Sequence, residues 1–284
     1  MRTRRALIGI GAAMLVAAAF LAPAGGARAA ERFERLDIPY MDTGNKQHRL
    51  DVIAPALEGA PKPILVFVHG GGFRNGSKEG QRPLSRHFAD DGIAVVNVEY
   101  RLVPEVQHPH QVKDVAAAIA WAKANAASFN GDPDLLFVSG HSAGAHLIAL
   151  ATIDTRHIVE AGLAADAIKG MLPISGFFEF ENWGYGEQVR DPVFGGTEGM
   201  IDGSPAHHIH AGMPPMLLLH GSDEAGIAGQ NKLFERTLTE FGFSDFRRIE
   251  FAGKDHAGMR RGLVDADDPV YAAVMAFLSE VRAR

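Results

Sequence analysis

Gly140-His141-Ser142-Ala143-Gly144 is the stretch of this chain whose residue types and spacing carry the most chemistry. A serine hydroxyl is a weak nucleophile until a neighbouring base takes its proton. The G-x-S-x-G pattern supplies the setting for that: a sharp turn that lifts the serine off the end of a strand, with glycines where backbones must pass closely. The pattern also arises by chance, so its flanks decide. An apolar run at 135–139 leads in and a helical pattern at 143–153 leads out. In that context the pentapeptide reads as a nucleophile elbow rather than an ordinary glycine-rich turn. A serine at a helix N-terminus also has backbone N–H groups aimed at developing negative charge.

A second pattern, His69-Gly70-Gly71-Gly72-Phe73, follows an apolar run at 64–68. Consecutive glycines leave backbone N–H groups uncovered and free to bind an oxyanion. A phosphate loop is the competing reading, but the G-x-G-x-x-G spacing and the lysine of a P-loop are both missing. A purely structural turn is the other alternative.

On these two motifs the chain resembles the α/β-hydrolases, and within them the secreted carboxylesterase and lipase branch that carries HGGG and GHSAG. The resemblance runs from about Arg49 to the C-terminus and includes Tyr100-Arg101-Leu102 and the segment 114–121. Feruloyl and acetylxylan esterase-like proteins and kynurenine formamidases share these features. The resemblance implies an α/β fold with a mostly parallel sheet. It further implies a cofactor-free serine hydrolase acting on small-molecule esters, with Ser142 as nucleophile. Gly71, Gly72 and Ala143 match the positions whose N–H groups form the oxyanion hole. Chain order in such enzymes is serine, acid, histidine. His256, in Gly253-Lys254-Asp255-His256, stands where the family carries its general base. For the acid, the register after Gly221 selects Glu224, with Asp223 one step away as the alternative. An arylformamidase-type amide hydrolase is the second reading. A non-catalytic binding module on the same fold is the third, although this chain keeps candidates for every triad position.

Other chemistry-bearing residues fall short of a site. His207, His208 and His210, with His108 and His110, offer metal-binding side chains but none of the usual ligand spacings. They read as solvated or packing histidines, and no metal is expected. Phe73, Phe177 and Trp183 are candidates for lining a substrate pocket; Phe178, Phe180 and Tyr185 beside them fit equally well as packing.

These side chains need a frame. Short apolar runs at 64–68, 93–98, 135–139 and 216–219 read as buried strands, with further strands at 49–53 and 247–251. Helical patterns occupy 111–126, 143–153, 230–241 and 269–281. Strands alternating with helices call for a parallel sheet covered on both faces. The stretch 176–213, rich in glycine and aromatics, breaks the alternation and reads as a short cap-like excursion near the site, not a second domain.

Composition agrees with one globular α/β domain over residues 31–284. Of 284 residues, 46% are hydrophobic and 22% charged, which excludes fibrous and wholly disordered classes. The absence of cysteine removes disulfides, thiolate metal sites and a cysteine nucleophile together. A net charge of −6 with no basic tract beyond the N-terminus argues against nucleic-acid partners. Residues 1–30 read as a signal peptide instead of fold: Arg2, Arg4 and Arg5, an uncharged run at 6–21, then the small-residue site Ala27-Arg28-Ala29. Cleavage near Ala29 or Ala30 would give an exported protein with no stable membrane anchor, more acidic than the whole chain because four arginines leave with the leader.

Overall fold

Strand β3 (Lys62–Val68) explains the architecture by itself: every residue from Pro63 to Val68 is buried, and the side chains alternate between two cores. Ile64, Val66 and Val68 enter one apolar cluster, while Leu65 and Phe67 enter another on the opposite face. A strand apolar on both sides needs cover on both sides, which is the condition for a parallel sheet built from β-α-β units. The structure is a computed structural model that describes residues 32–181, 184 and 186–284. The leader read at 1–30 and the candidate Trp183 lie outside the described residues.

Eight strands form one sheet in the order β1 (Phe33–Pro39), β2 (Arg49–Ala54), β4 (Ala94–Val98), β3, β5 (Gly131–His141), β6 (Gly170–Ile174), β7 (Met216–Gly221) and β8 (Phe246–Phe251). β2 runs antiparallel to β1 and β4; the remaining pairs are parallel. One face is covered by α2 (His110–Ala124) and α3 (Ala143–Ile153), whose Val112, Val115, Ile119, Leu147 and Ile148 join the larger core. The other face is covered by α1 (Arg82–Asp90), α8 (His256–Arg261) and α9 (Pro269–Arg282) through Leu84, Phe88, Met259, Val274 and Phe277.

Two strands escape the sequence reading. β1 lies at the sheet edge and is mostly exposed, so it has no apolar run to announce it. β6 is fully buried, but Pro173 sits inside it. Proline cannot donate to a ladder, and β6 pairs with β7 only at Met171 and Ile174, on either side of the gap. A short helix, α4 (Thr155–Glu160), precedes β6. The stretch after β6 holds α5 (Gly186–Phe194) and α6 (Thr197–Asp202). It is pinned to the body through Phe178, which stacks on Phe234 of α7 (Ala225–Phe241) at a 4.1 Å centroid distance. Among the described residues, no helix is long and apolar enough to cross a membrane.

Candidate active site

Four loops at the carboxyl ends of parallel strands build the site, the edge at which open α/β sheets place their ligands. β5 ends at His141 and α3 starts at Ala143, leaving Ser142 alone at the corner with φ 58° and ψ −121°. A non-glycine residue in that region is strained, and the surroundings hold it there. The Ser142 N–H donates to Ile174 O at 2.9 Å. Helix α3 then passes so close to β3 that a Cβ on Gly144 would lie 2.1 Å from Val68 O. Every residue of α3 is buried, so the helix is locked between sheet and neighbours.

The loop after β3 brings Gly71 and Gly72 to the same place. Gly71 has φ +128°, and a Cβ there would lie 1.9 Å from Asn75 O, so only glycine fits the turn. The loop is anchored behind by His69, whose Nε2 lies 3.0 Å from Glu99 Oε1 and whose ring stacks on Tyr100. Glu99 also accepts the Lys78 N–H, and Tyr100 donates its hydroxyl to His69 O at 3.1 Å. Arg101 holds Asp114 of α2 through two side-chain contacts of 2.9 and 2.6 Å, which accounts for the pairing of Tyr100-Arg101-Leu102 with Asp114 in the sequence.

β7 delivers Glu224 and the loop after β8 delivers His256. The His256 Nδ1–H donates to Glu224 Oε1 at 2.5 Å. The other carboxylate oxygen accepts the Gly221 N–H at 2.6 Å and the Ser175 hydroxyl at 2.9 Å. Burial pushes the Glu224 carboxyl up, but the hydrogen bonds from His256, Gly221 and Ser175 outweigh it and leave it below its ordinary value. Asp223 is exposed and accepts the hydroxyl of Ser222 instead. Of the two acids that the sequence leaves open, Glu224 is the one that meets His256.

His256 and Ser142 line one cavity of about 770 Å³, together with Gly70, Gly71 and Gly72. Its size falls within the range of small-molecule sites. With Nδ1 committed to Glu224, Nε2 is the ring nitrogen left to exchange a proton. Ala143 opens α3, and the first N–H groups of a helix have no carbonyl partner inside it. His141 lines the same cavity. Its Nε2–H donates to His256 O at 2.9 Å, and its ring lies 4.4 Å from the His256 ring, so it braces the start of α8. Burial, then the neighbouring His256, pushes the His141 imidazole down to about 3.

The aromatic candidates are placed differently from the expectation. Phe73 and Phe177 are buried among His146, Phe180 and Phe194, and neither lines the 770 Å³ cavity. They are core, because the ring of His146 inside α3 gives them an apolar partner and donates its own Nε2–H to Gly203 O. The histidine-rich segment also gains a context that spacing did not show. Asp154, Asp202 and His208 converge within 4.8 Å. Arg156 bridges the two carboxylates at 2.6 and 2.7 Å, and His108 joins at Asp202. The group ties α6 to the body as an ion-pair clasp. Sequence reasoning missed Ser175 and Glu99 altogether; isolated in their own segments, they have no motif.

This geometry has known counterparts. The BD-FAE family model matches residues 50–238. Esterase LipC of Mycobacterium tuberculosis is 31% identical over 244 residues, which is 78% of this chain and 59% of that protein. Isoprenylcysteine alpha-carbonyl methylesterase ICME of Arabidopsis thaliana is 27% identical over 245 residues, covering 79% and 57%. The chain spans about half the length of the curated relatives it matches. Among solved structures, the esterase Est2 of Thermogutta terrifontis superposes with a TM-score of 0.70 at 25% identity, covering 89% of this chain and 93% of that one. Esterase B of Lactobacillus rhamnosus shares the fold at 18% identity and a TM-score of 0.76, over 89% and 85%. Motif, topology and match together make the chain a member of the BD-FAE family, within the α/β-hydrolase fold.

Proposed function

We propose that this protein is a serine hydrolase that cleaves carboxylic esters of small molecules through an acyl-enzyme. The observation that carries the reading is the chain of contacts from Glu224 through His256 to the cavity that Ser142 lines. In the first half-reaction the Ser142 hydroxyl attacks the ester carbonyl while His256 Nε2 takes its proton. Negative charge gathers on the carbonyl oxygen, where the N–H groups of Gly71, Gly72 and Ala143 receive it. His256 then returns the proton to the leaving alcohol, and the acyl group stays on Ser142. A water molecule, deprotonated by the same imidazole, attacks the acyl-enzyme and releases the acid. Glu224 keeps His256 in the tautomer with Nδ1 protonated and stabilises the imidazolium formed in both halves.

The test is a panel of p-nitrophenyl esters, methyl hydroxycinnamates and N-formylkynurenine, run with the wild-type chain and Ser142→Ala. Ester cleavage should dominate and should fall by about 10⁴–10⁶ in the variant. A fluorophosphonate probe should label Ser142. Preferred cleavage of the formamide would replace ester by amide as the substrate, and labelling elsewhere would reassign the nucleophile. Export belongs to the same proposal: the arginine-rich leader and the Ala27-Arg28-Ala29 site support a mature N-terminus near Ala30, to be read by N-terminal sequencing of the protein from its native host.

A further inference from the structure

The cavity beside Ser142 is lopsided in charge. One wall is backbone-rich, formed by Gly70, Gly71 and Gly72; the other is α8, with His256, Ala257 and Arg260. Among the described lining residues Arg260 alone carries a fixed charge, and none is an acid.

Among the described residues no carboxylate pairs with this cation. Asp255 is occupied: its Oδ1 accepts the Gly258 N–H at 2.5 Å and contacts Arg261 at 3.2 Å. Asp268 takes Lys254 at 2.5 Å and caps Val270 at 2.9 Å. The Arg260 side chain is exposed and makes no ion pair or hydrogen bond among the described residues. Its charge nonetheless reaches into the site, where it adds to burial and to His256 in keeping His141 neutral. In a chain of net charge −6, a cation left unpaired at the mouth of a catalytic cavity has a guanidinium fork to offer an incoming anion.

Its position says which part of a substrate it would meet. His256 and Arg260 stand four residues apart on α8, so they share one face a single turn apart. His256 is the group that hands a proton to the leaving oxygen, and two of the oxyanion donors, Gly71 and Gly72, come from the opposite wall. A side chain one turn beyond His256 therefore faces the alcohol half of the ester, not the acyl half. A planar carboxylate matches one guanidinium in a bidentate pair, whereas a phosphate dianion usually gathers several cations.

We infer that Arg260 is a specificity-determining residue that selects esters whose alcohol part carries a carboxylate close to the scissile oxygen. The inference rests on the hydrolase reading above and deepens it by naming a substrate class.

The experiment compares 3- and 4-acetoxybenzoate with the corresponding acetoxybenzamides, which differ only in carboxylate against neutral amide. The readout is the ratio of kcat/KM for the anionic ester to that for the neutral one, so that any loss common to both cancels. The wild-type ratio should exceed one. Arg260→Gln should lower it by about tenfold or more, the scale of a hydrogen bond to a charged group. Arg260→Lys should keep part of it, since the charge stays and the fork goes. Arg260→Glu should invert the preference, and added salt should shrink the wild-type ratio. A ratio unmoved in both Arg260→Gln and Arg260→Glu overturns the inference while leaving the hydrolase reading intact. Cleavage of neither ester by a wild-type chain that does cleave p-nitrophenyl acetate also overturns the inference, and inactivity on p-nitrophenyl esters as well removes the hydrolase reading with it.

Discussion

Ser175 and Glu224 lie 49 positions apart in the chain and meet in its interior, where the Ser175 hydroxyl donates to Glu224 Oε2 at 2.9 Å. Ser175 is wholly buried at the end of β6, with φ 53°. It therefore holds the carboxylate from below while His256 takes the other oxygen. Ser175→Ala leaves a charged acceptor with one donor fewer. Stability should fall by about 1.5–3 kcal/mol, and kcat/KM should drop by about tenfold as the acid loses its register. Urea unfolding and ester kinetics on the same preparation check both. Unchanged kinetics with lowered stability would make Ser175 a packing residue only.

The two adjacent acids should respond very differently. Glu224→Gln removes the charge that faces the His256 Nδ1–H and should cost about 10⁴ in kcat, the scale for the orienting acid of a triad. Asp223→Asn alters an exposed loop side chain and should stay within about tenfold of the wild type. One activated ester is enough for the comparison. The reverse ranking would move the acid to Asp223.

The glycines of the two motifs should separate by what a Cβ would strike. On Gly144 it would meet Val68 O at 2.1 Å, a backbone atom that cannot swing away. Gly144→Ala should therefore cost more than about 3 kcal/mol or abolish folding. Gly72 has φ +60° with nothing within 4 Å, so Gly72→Ala meets only the left-handed backbone penalty. That penalty is about 1 kcal/mol, or about 2–4 °C in Tm for a domain of this size. Thermal unfolding ranks them.

Acid should destabilise the fold well before its carboxylates protonate. Burial pushes His141 and His146 down to about 3, and it lowers His108 and His220 as well. In the unfolded chain a histidine titrates near about 6.5. Between these values the unfolded state binds more protons, so stability is fully present above pH 6.5 and is lost as pH falls towards the folded values. His141 and His146 should each contribute on the order of 1 kcal/mol per pH unit in that window. The urea midpoint measured from pH 7.5 to 5 should decline steadily. His146→Gln, whose amide can still donate to Gly203 O, should show a shallower decline whatever its stability at pH 7.5.

Much of this protein is legible in its residues because the relevant physics is local. A strand apolar on both faces, such as 64–68 or 216–219, cannot lie at a surface, and this alone implies a parallel sheet with helices on either side. The elbow is local too: Ser142 needs its sharp turn, and Gly144 needs to have no side chain, within five consecutive residues. What escaped is what depends on distant partners. Pro173 disguised β6, which only its place between β5 and β7 makes a strand. In the sequence the choice of Glu224 over Asp223 rests on the register after Gly221 alone. In the folded chain it is decided by direction, since one side chain points inward to Ser175, the Gly221 N–H and His256 while the other points to solvent. Phe73 and Phe177 have the composition of a pocket wall, but apolar packing and apolar lining look alike until the cavity itself is located. Residue type and spacing determined the elbow, the glycine loop and the alternating frame. Only the folded chain could decide which acid, which hydroxyl and which cation meet at the site, because a hydrogen bond depends on distance and direction between groups that the sequence holds dozens of residues apart.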